Sequence, residues 1–414
     1  MTVTVIQGNA RNLPLPDDTV DLVVTSPPYF ALRSYTDGGV HYPGQVGAEA
    51  TPAEFVDALI EVTRECVRVL KPCGSLWVNL GDKYAGGGGQ WDKDERPDPG
   101  RRRAVSGKIG TGGNTYGLRP KSLIGIPWRY ALRCIDDLGL ILRAEVIWSK
   151  PNGLPESVTD RVRRSHETWF HFVTQPRYFS AVDEIREPHV QPDRKRADMF
   201  GGVTGTNGVR HAGASVYTGP TNLLGKLPGS VWTVPTEPLK VPEHLGVDHF
   251  AAFPSEFPKR IISGWSPSGV CTGCGEGRRP VVDNPSPFGH VNPCRSDIES
   301  AGQVTYGNTS QLNLSGGPKQ RWKAQHPATI TGYACACPDT TAPTRPAVVL
   351  DVFGGTGTTA HVASALGRHG ISLDMSADYC RLAADPTVAD GRLRKVLGIE
   401  KVPAQVTGQD ALFG

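Results

Sequence analysis

Three groups of residues in this 414-residue chain have the types and spacing to do chemistry. The first is Ser26-Pro27-Pro28-Tyr29, in "DLVVTSPPYF", directly after what reads as a buried strand. Proline fixes φ, removes an N–H and holds the preceding residue extended, so two in succession make a stiff strand exit with open carbonyl acceptors. Beside the Ser26 hydroxyl, those carbonyls can accept hydrogen bonds from a flat amino group, and Tyr29 can stack on the ring that carries it. None of the four side chains is a strong base. That suits an aromatic amine: acceptors gripping its protons turn its lone pair toward an electrophile, and a proton need leave only as the nitrogen becomes cationic. A stiff structural turn is the alternative reading of the tetrapeptide.

The second group is the glycine turn in "VVLDVFGGTGTTA". Glycines 354, 355 and 357 follow a strand and open a helix, where backbone can approach a ligand and helix N–H groups face it. Read as G-x-G-x-x-A, with Asp374 ending the next strand to grip ribose hydroxyls, it also matches a dinucleotide fingerprint. A tight turn without a ligand has the same appearance. A nicotinamide-dependent oxidoreductase would need further βαβ units after Asp374, and the remaining residues are short of strands. The unit completes a doubly wound sheet only by pairing with strands from the start of the chain. Both motifs then follow strand ends on the carboxyl edge, where open α/β proteins bind ligands, and should face one cleft.

The third group is Cys271 and Cys274 in "CTGC" with Cys335 and Cys337 in "CAC", four thiolates that suit a tetrahedral structural zinc. They lie in a polar, poorly periodic block, 266–345, where a metal would supply folding energy that a small core cannot. The C-x-C pair is tight and the intervening loop long, so reduced cysteines without metal are the alternative, and Cys294 or His290 are substitute ligands. Cys66, Cys73, Cys134 and Cys380 fall in helical or strand contexts and read as core. His166 and Glu167 read as a packed, hydrogen-bonded pair at the start of a strand rather than as an acid–base couple, and Trp232 and Trp265 as core.

The elements that must position these groups are visible in the pattern. "VTVIQGN", "VDLVVTS" and "GSLWVNLGD" read as strands and "PAEFVDALIEVTRECVRVLKP" as a helix. "IGIPWRYALRCIDDLG" and "LILRAEVIWSK" repeat the alternation before "HETWFHFVTQ". This predicts an α/β fold, a Rossmann-like doubly wound and mostly parallel sheet covered on both faces. Residues 83–120, rich in Gly, Arg and Pro, predict a long mobile loop. With 38% hydrophobic and 21% charged residues and a net charge of +3, the composition is that of a globular chain that tolerates a polyanionic partner. Arg101 to Arg103, Arg161 with Arg163 and Arg164, and Arg194 to Arg196 either meet phosphates or form solvated faces. The start lacks the pattern of a signal peptide and no apolar run reaches a membrane span of about 18 residues, so a cytoplasmic protein with reduced thiols is expected.

Together these segments resemble the S-adenosylmethionine-dependent DNA amino methyltransferases, which methylate N4 of cytosine or N6 of adenine. "VVTSPPYFALRSY" is similar to their catalytic motif, "LDVFGGTGTT" with "GISLDMSADY" to their cofactor motif, and "HFAAFPSEFPKRII" to the segment flanking the methionine end of the cofactor. "IWSKPNGLPESVTDRVRRSHETWFHFVTQPRYF" is also similar to a stretch of these enzymes, and the order, catalytic motif first, is that of the permuted beta group. The resemblance covers roughly residues 1–180 and 230–390. It implies that Ser26 and the Pro27 carbonyl, in the Pro27-Pro28 pair, hold the target amine while Tyr29 stacks on the base. It implies that Asp351, Phe353, Gly355, Gly357 and Thr358 line the cofactor, Asp374 holds the ribose hydroxyls, and Phe253, Pro254 and Phe257 flank its methionine part. Gly8-Asn9 stands where the family commonly shows Gly-Asp, which leaves Asn9 as the candidate adenine contact, and Val352 stands where proline is frequent. Serine at position 26 favours cytosine N4, with adenine N6 as the alternative.

The implied organisation is a catalytic half, 1–180; a target-recognition region, 181–248; a cofactor-flanking segment, 249–265; a cysteine-bearing, zinc-ribbon-like insertion, 266–345; and a cofactor-binding half, 346–414. The implied cofactors are S-adenosylmethionine and a structural zinc. Double-stranded DNA is the implied partner, with a restriction endonuclease as a possible counterpart and no membrane. A zinc-bearing DNA-binding protein without turnover is the rival from another class, and the intact Ser-Pro-Pro-Tyr argues against it.

Overall fold

All six residues of strand β2 (Val20–Thr25) are buried, the signature of a central parallel strand covered on both faces. The structure, a computed structural model, describes residues 2–31, 36–37, 40–41, 44–86, 116–153, 155–156, 158–188, 224–237, 253–283, 328–337 and 341–398. Residues 87–115 of the Gly/Arg loop, 189–223 and 238–252 of the middle region, the arginines at 101–103 and 194–196, His290 and Cys294 lie outside them. The chain divides into a larger unit, 1–180 with 229–277 and 342–414, and a smaller one, 181–228 with 278–341.

The larger unit is built on an eight-stranded sheet. Its strands are β1 (Thr2–Gln7), β2, β3 (Leu70–Leu80), β4 (Ile141–Ser149), β5 (His166–Val173), β6 (Val231–Thr233), β7 (Val348–Asp351) and β8 (His369–Asp374). In space they run β1-β8-β7-β2-β3-β5-β4-β6. The start and end of the chain therefore interleave: β1 pairs with β8 from Thr2↔His369 to Gln7↔Asp374, and β7 pairs with β2 through Val349↔Leu22 and Leu350↔Val23. Every pairing is parallel except those of β5, which runs antiparallel to β3 and β4. The cause is the connection. Among the described residues of 150–165, between β4 and β5, there is no helix, and a parallel return would need a full crossover.

Helix α1 (Pro52–Val69) starts at a capping box, Thr51 with Glu54, has proline in its first turn, and buries Phe55, Val56, Leu59, Ile60 and Val62. Helix α2 (Ile126–Leu138) has no side-chain cap from its own N-terminal residue. The Asp82 carboxylate, just after β3, takes that role, accepting from Gly125 N (3.0 Å) and Ile126 N (3.1 Å), where a negative charge meets the positive end of the helix. Helices α3 (Glu256–Trp265), α4 (Thr358–Ala365), α5 (Ala377–Ala384) and α6 (Pro386–Leu397) complete the unit. Trp232 and Trp265 are buried, as are Cys66 and Cys134. Cys73 departs from the core reading: it is exposed at the outer end of β3, where Pro72 and Cys73 face solvent, and Cys380 is only half-buried.

In the smaller unit, strands Arg279–Asp283 and Thr329–Ala334 pair antiparallel, with a register shift between Val281 and Val282. The Tyr333 hydroxyl donates to Glu184 at 2.6 Å. Among the described residues no helix is long and apolar enough to cross a membrane.

Candidate active site

The carboxyl ends of β2 and β7 lie side by side, and the segments leaving them, Ser26 to Tyr29 and Phe353 to Thr356 with Thr358, line one cavity of about 880 Å³. Asn9, Phe253 and Asp374 are also on its wall. The cleft expected from the two motifs is thus present in a single unit.

At the catalytic motif, the Tyr29 ring packs against the backbone of Gly81, where a Cβ would sit 2.6 Å from the ring carbon Cε2. Its hydroxyl donates to Glu167 Oε2 at 2.5 Å. Asn79, buried in β3, places its amide 3.2 Å from Ser26 Oγ and 2.8 Å from the Tyr29 hydroxyl. With its NH2 toward the motif, its two hydrogens are shared among Ser26 Oγ, the Tyr29 hydroxyl and Glu167 Oε2 (3.1 Å), while its carbonyl accepts from the Trp169 indole (3.3 Å). That orientation gives the NH2 acceptors and the carbonyl a donor. Lys150 at the end of β4 pairs with the other Glu167 oxygen and lies 4.0 Å from the centre of the Trp148 ring. Sequence reasoning missed Asn79 and Lys150 and treated Glu167 as packing. The signal for Asn79 was a polar residue inside the apolar run "LWVNL" of a buried strand.

At the cofactor motif, Gly355 and Gly357 have φ of +49° and +74°, a region that favours glycine. Asp374 accepts from Gly355 N and from Ser376 N, each at 2.9 Å, which fixes the turn to the end of β8. Asn9 Oδ1 accepts from Arg11 N at 3.0 Å.

Four expected cofactor contacts stand back from the cavity wall. Asp351 is 1% exposed and turns into the sheet, where it accepts from Thr25 Oγ1 (2.7 Å), Thr359 Oγ1 (2.8 Å) and Phe353 N (3.1 Å). Burial pushes its carboxyl up to about 6 against the pull of those donors. Gly357 caps α4. Pro254 faces a smaller neighbouring pocket, and Phe257 is fully buried, stacked on Trp169 with ring centres 5.3 Å apart.

The arginine cluster before β5 is engaged internally. Arg161 pairs with Glu156 (2.7 Å) and lies 3.9 Å from the centre of the Tyr84 ring, Arg163 donates to the Gly153 carbonyl (2.9 Å), and Arg164 pairs with Asp82 (3.4 Å). His166 lines the cavity, and burial together with Arg164 lowers its imidazole below the ordinary histidine value. Of the cysteine pairs, Cys271 and Cys274 flank a turn of the larger unit. There Gly275 N donates to Cys271 O and Cys271 N donates to Glu276 O, both at 2.9 Å, and Gly275 has φ of +76°. In the smaller unit, Cys335 and Cys337 follow the strand Thr329–Ala334, and both are half-buried.

A mostly parallel sheet carrying a glycine turn and a Ser-Pro-Pro-Tyr exit on adjacent strands defines an amino-methyltransferase. Residues 20–271 and 341–385, more than half of the chain, match the DNA methylase family of N6/N4 type, and the chain belongs to that family of S-adenosylmethionine-dependent enzymes. It is 35% identical over 269 residues to type II methyltransferase M.SmaI of Serratia marcescens, an alignment covering 64% of this chain and 76% of that protein. It is 37% identical over 223 residues to type II methyltransferase M.Cfr9I of Citrobacter freundii, covering 53% and 70%. Among solved structures it has a distant likeness to PvuII DNA methyltransferase (cytosine-N4-specific), with TM-score 0.49 and 16% identity over 97% of this chain and 94% of that one.

Proposed function

We propose that the protein methylates N4 of cytosine within a specific site of double-stranded DNA. The observation that carries this reading is the character of the amine clamp: position 26 holds a neutral serine hydroxyl, braced by a neutral amide from Asn79. Adenine enzymes of the family more often carry Asp or Asn at that position. N6-adenine is the alternative.

In the proposed mechanism the target base, paired within the duplex, is swung out into the cavity. Ser26 and the Pro27 carbonyl accept from its amino group and Tyr29 packs on its ring. Asn79 and Glu167 hold the Tyr29 hydroxyl so that the ring cannot turn. S-adenosylmethionine supplies an electrophilic methyl on a sulfonium. Phe253, Phe353, Gly355 and Thr358 would enclose it, Asp374 would take the ribose hydroxyls, and Asn9 would face the adenine. The Glu167 carboxylate, on the same wall, would stabilise the positive charge that grows on the nitrogen as the methyl arrives, and the surplus N–H proton would leave through the accepting Ser26 oxygen to solvent.

The remaining assignments belong to the same reading. Residues 181–248 and the loop at 83–120 would read the DNA sequence. The turn at Cys271 and Cys274, with its αL glycine after the second cysteine, has the shape of a zinc knuckle, and a structural zinc belongs to this reading. Resemblance to type II methyltransferases supports a restriction endonuclease counterpart and action in the cytoplasm.

The experiment is methylation of mixed-sequence duplex DNA, digestion to nucleosides and identification by mass. N4-methylcytosine is expected, and N6-methyladenine alone would overturn the base assignment. Ser26→Ala should abolish most of the product while cofactor binding stays near wild type. Full turnover in that variant would remove Ser26 from the mechanism.

A further inference from the structure

Arg392, on helix α6, is 6% exposed although its guanidinium is charged. Its two terminal nitrogens donate to the hydroxyls of Thr356 and Thr358, and its Nε has no hydrogen-bond partner. Among the described residues no carboxylate pairs with it. Glu237, whose field reaches it, is already engaged by Lys395 (2.7 Å) and by the backbone and hydroxyl of Ser255 (3.0 and 2.8 Å). A buried charge without a counter-ion is costly, so its retention points to an anion that arrives from elsewhere.

The direction of the hydrogen bonds says where that anion binds. A guanidinium can only donate, so the oxygens of Thr356 and Thr358 act as acceptors toward it and their own hydrogens are released. The two oxygens lie 3.4 Å apart, so one hydroxyl can use its hydrogen on the other, which leaves at least one donor for the cavity that both threonines line. The positive charge is thereby relayed to the wall through neutral hydroxyls.

We propose that Arg392 is the positioning residue for the α-carboxylate of S-adenosylmethionine, acting through Thr356 and Thr358. This rests on the glycine turn being the cofactor site. The carboxylate is the cofactor's one anionic group at neutral pH, and these are hydroxyl donors backed by a fixed charge at that turn. A guanidinium that only braced α6 against the turn would weaken every adenosyl ligand alike, whereas a carboxylate-directed charge discriminates among them.

The test is calorimetric titration of the full-length wild type and of Arg392→Met and Arg392→Lys. The two ligands are S-adenosylmethionine and its decarboxylated analogue, which differs only in lacking that carboxylate. Arg392→Met should weaken S-adenosylmethionine by about ten- to a hundredfold, as expected for loss of a charge-assisted contact, and change the analogue by less than about twofold. Arg392→Lys should recover part of the difference. Equal loss for both ligands, or for neither, overturns the proposal. If Arg392→Met fails to fold, Thr356→Val must show the same selective loss, and an unselective result there refutes it. A wild type that binds neither ligand would instead refute the cofactor site itself.

Discussion

Asn79→Asp changes one NH2 into an oxygen and leaves the shape of the side chain intact, so its effect isolates the hydrogen-bond direction at the catalytic motif. In the wild type the amide donates to Glu167 Oε2 across 3.1 Å and to the Tyr29 hydroxyl across 2.8 Å. In the variant an oxygen stands at that place. Two ionised carboxylates 3.1 Å apart repel by about 5 kcal/mol at an effective dielectric near 20, equivalent to nearly four units of pKa. Lys150, paired with the other Glu167 oxygen, offsets part of this, so the new carboxyl should titrate about two to three units above the ordinary aspartate value.

The sign follows from that direction. Below the raised value the new group keeps its proton, donates as the amide did, and leaves Tyr29 and Ser26 in place. Above it, Glu167 and the new carboxylate repel, Tyr29 loses its fixed partner, and folding stability falls with the activity because the unfolded chain gives up that proton more easily. The assay is transfer of a labelled methyl group to duplex DNA between pH 5.5 and 9, with each variant rate divided by the wild-type rate at the same pH. The ratio should stay near one at the acid end and fall about tenfold or more as pH rises through roughly 7, a loss typical of misplaced reacting groups. A ratio independent of pH would refute the donor role assigned to Asn79.

Two further predictions concern the frame of the site. Phe257→Ala removes a fully buried ring that stacks on Trp169 and abuts Trp148 and Trp232. It should cost about 3–5 kcal/mol in denaturant unfolding, and a loss below about 1 kcal/mol would mean that the aromatic stack is not a core. Burial holds the His171 imidazole down at about 3 and His361 at about 4, so both bind protons in the unfolded chain first, and each should cost about 2 kcal/mol of stability at pH 5 relative to neutral pH. His171→Phe, which can keep the stacking on Trp77, should remove about half of that acid sensitivity in urea unfolding at pH 5 and 7, and an unchanged difference would refute the assignment.

What could be read from the sequence was local in origin. An unbroken apolar run, two prolines and a glycine cluster each impose their geometry within a few residues, so β2, its exit and the turn before α4 were all legible. The orientation of β5 was not, because it depends on the connection from β4, whose described residues form no helix, rather than on any feature of "HETWFHFV". The partners of Tyr29 were also hidden: Asn79 lies 50 and Glu167 138 positions away in sequence, and although a polar residue inside an apolar strand singles out Asn79, nothing near either says which residue it meets. The resemblance assigns Asp351 and Phe257 to the cofactor by their place in a motif, whereas in the structure both side chains are buried behind the cavity wall. Successive side chains on a strand point to opposite faces, and those of a helix spread around its axis, so adjacency in sequence is a poor guide to facing.

The Asp351 carboxylate shows why the motif order along the chain is chemically neutral. It joins Thr25, the last residue of β2, to Thr359 in α4, across 326 positions of sequence in one case and eight in the other. Neighbouring parallel strands lie about 4.8 Å apart whatever connects them, so the separation between the amine clamp and the glycine turn is set by the sheet and by this buried carboxylate. The connecting segments can then be rerouted, and the two ends of the chain exchanged in order, without moving either motif. What cannot be exchanged is the adjacency of β2 and β7, since a strand inserted between them would displace one motif from the other by a full strand spacing, far more than methyl transfer tolerates.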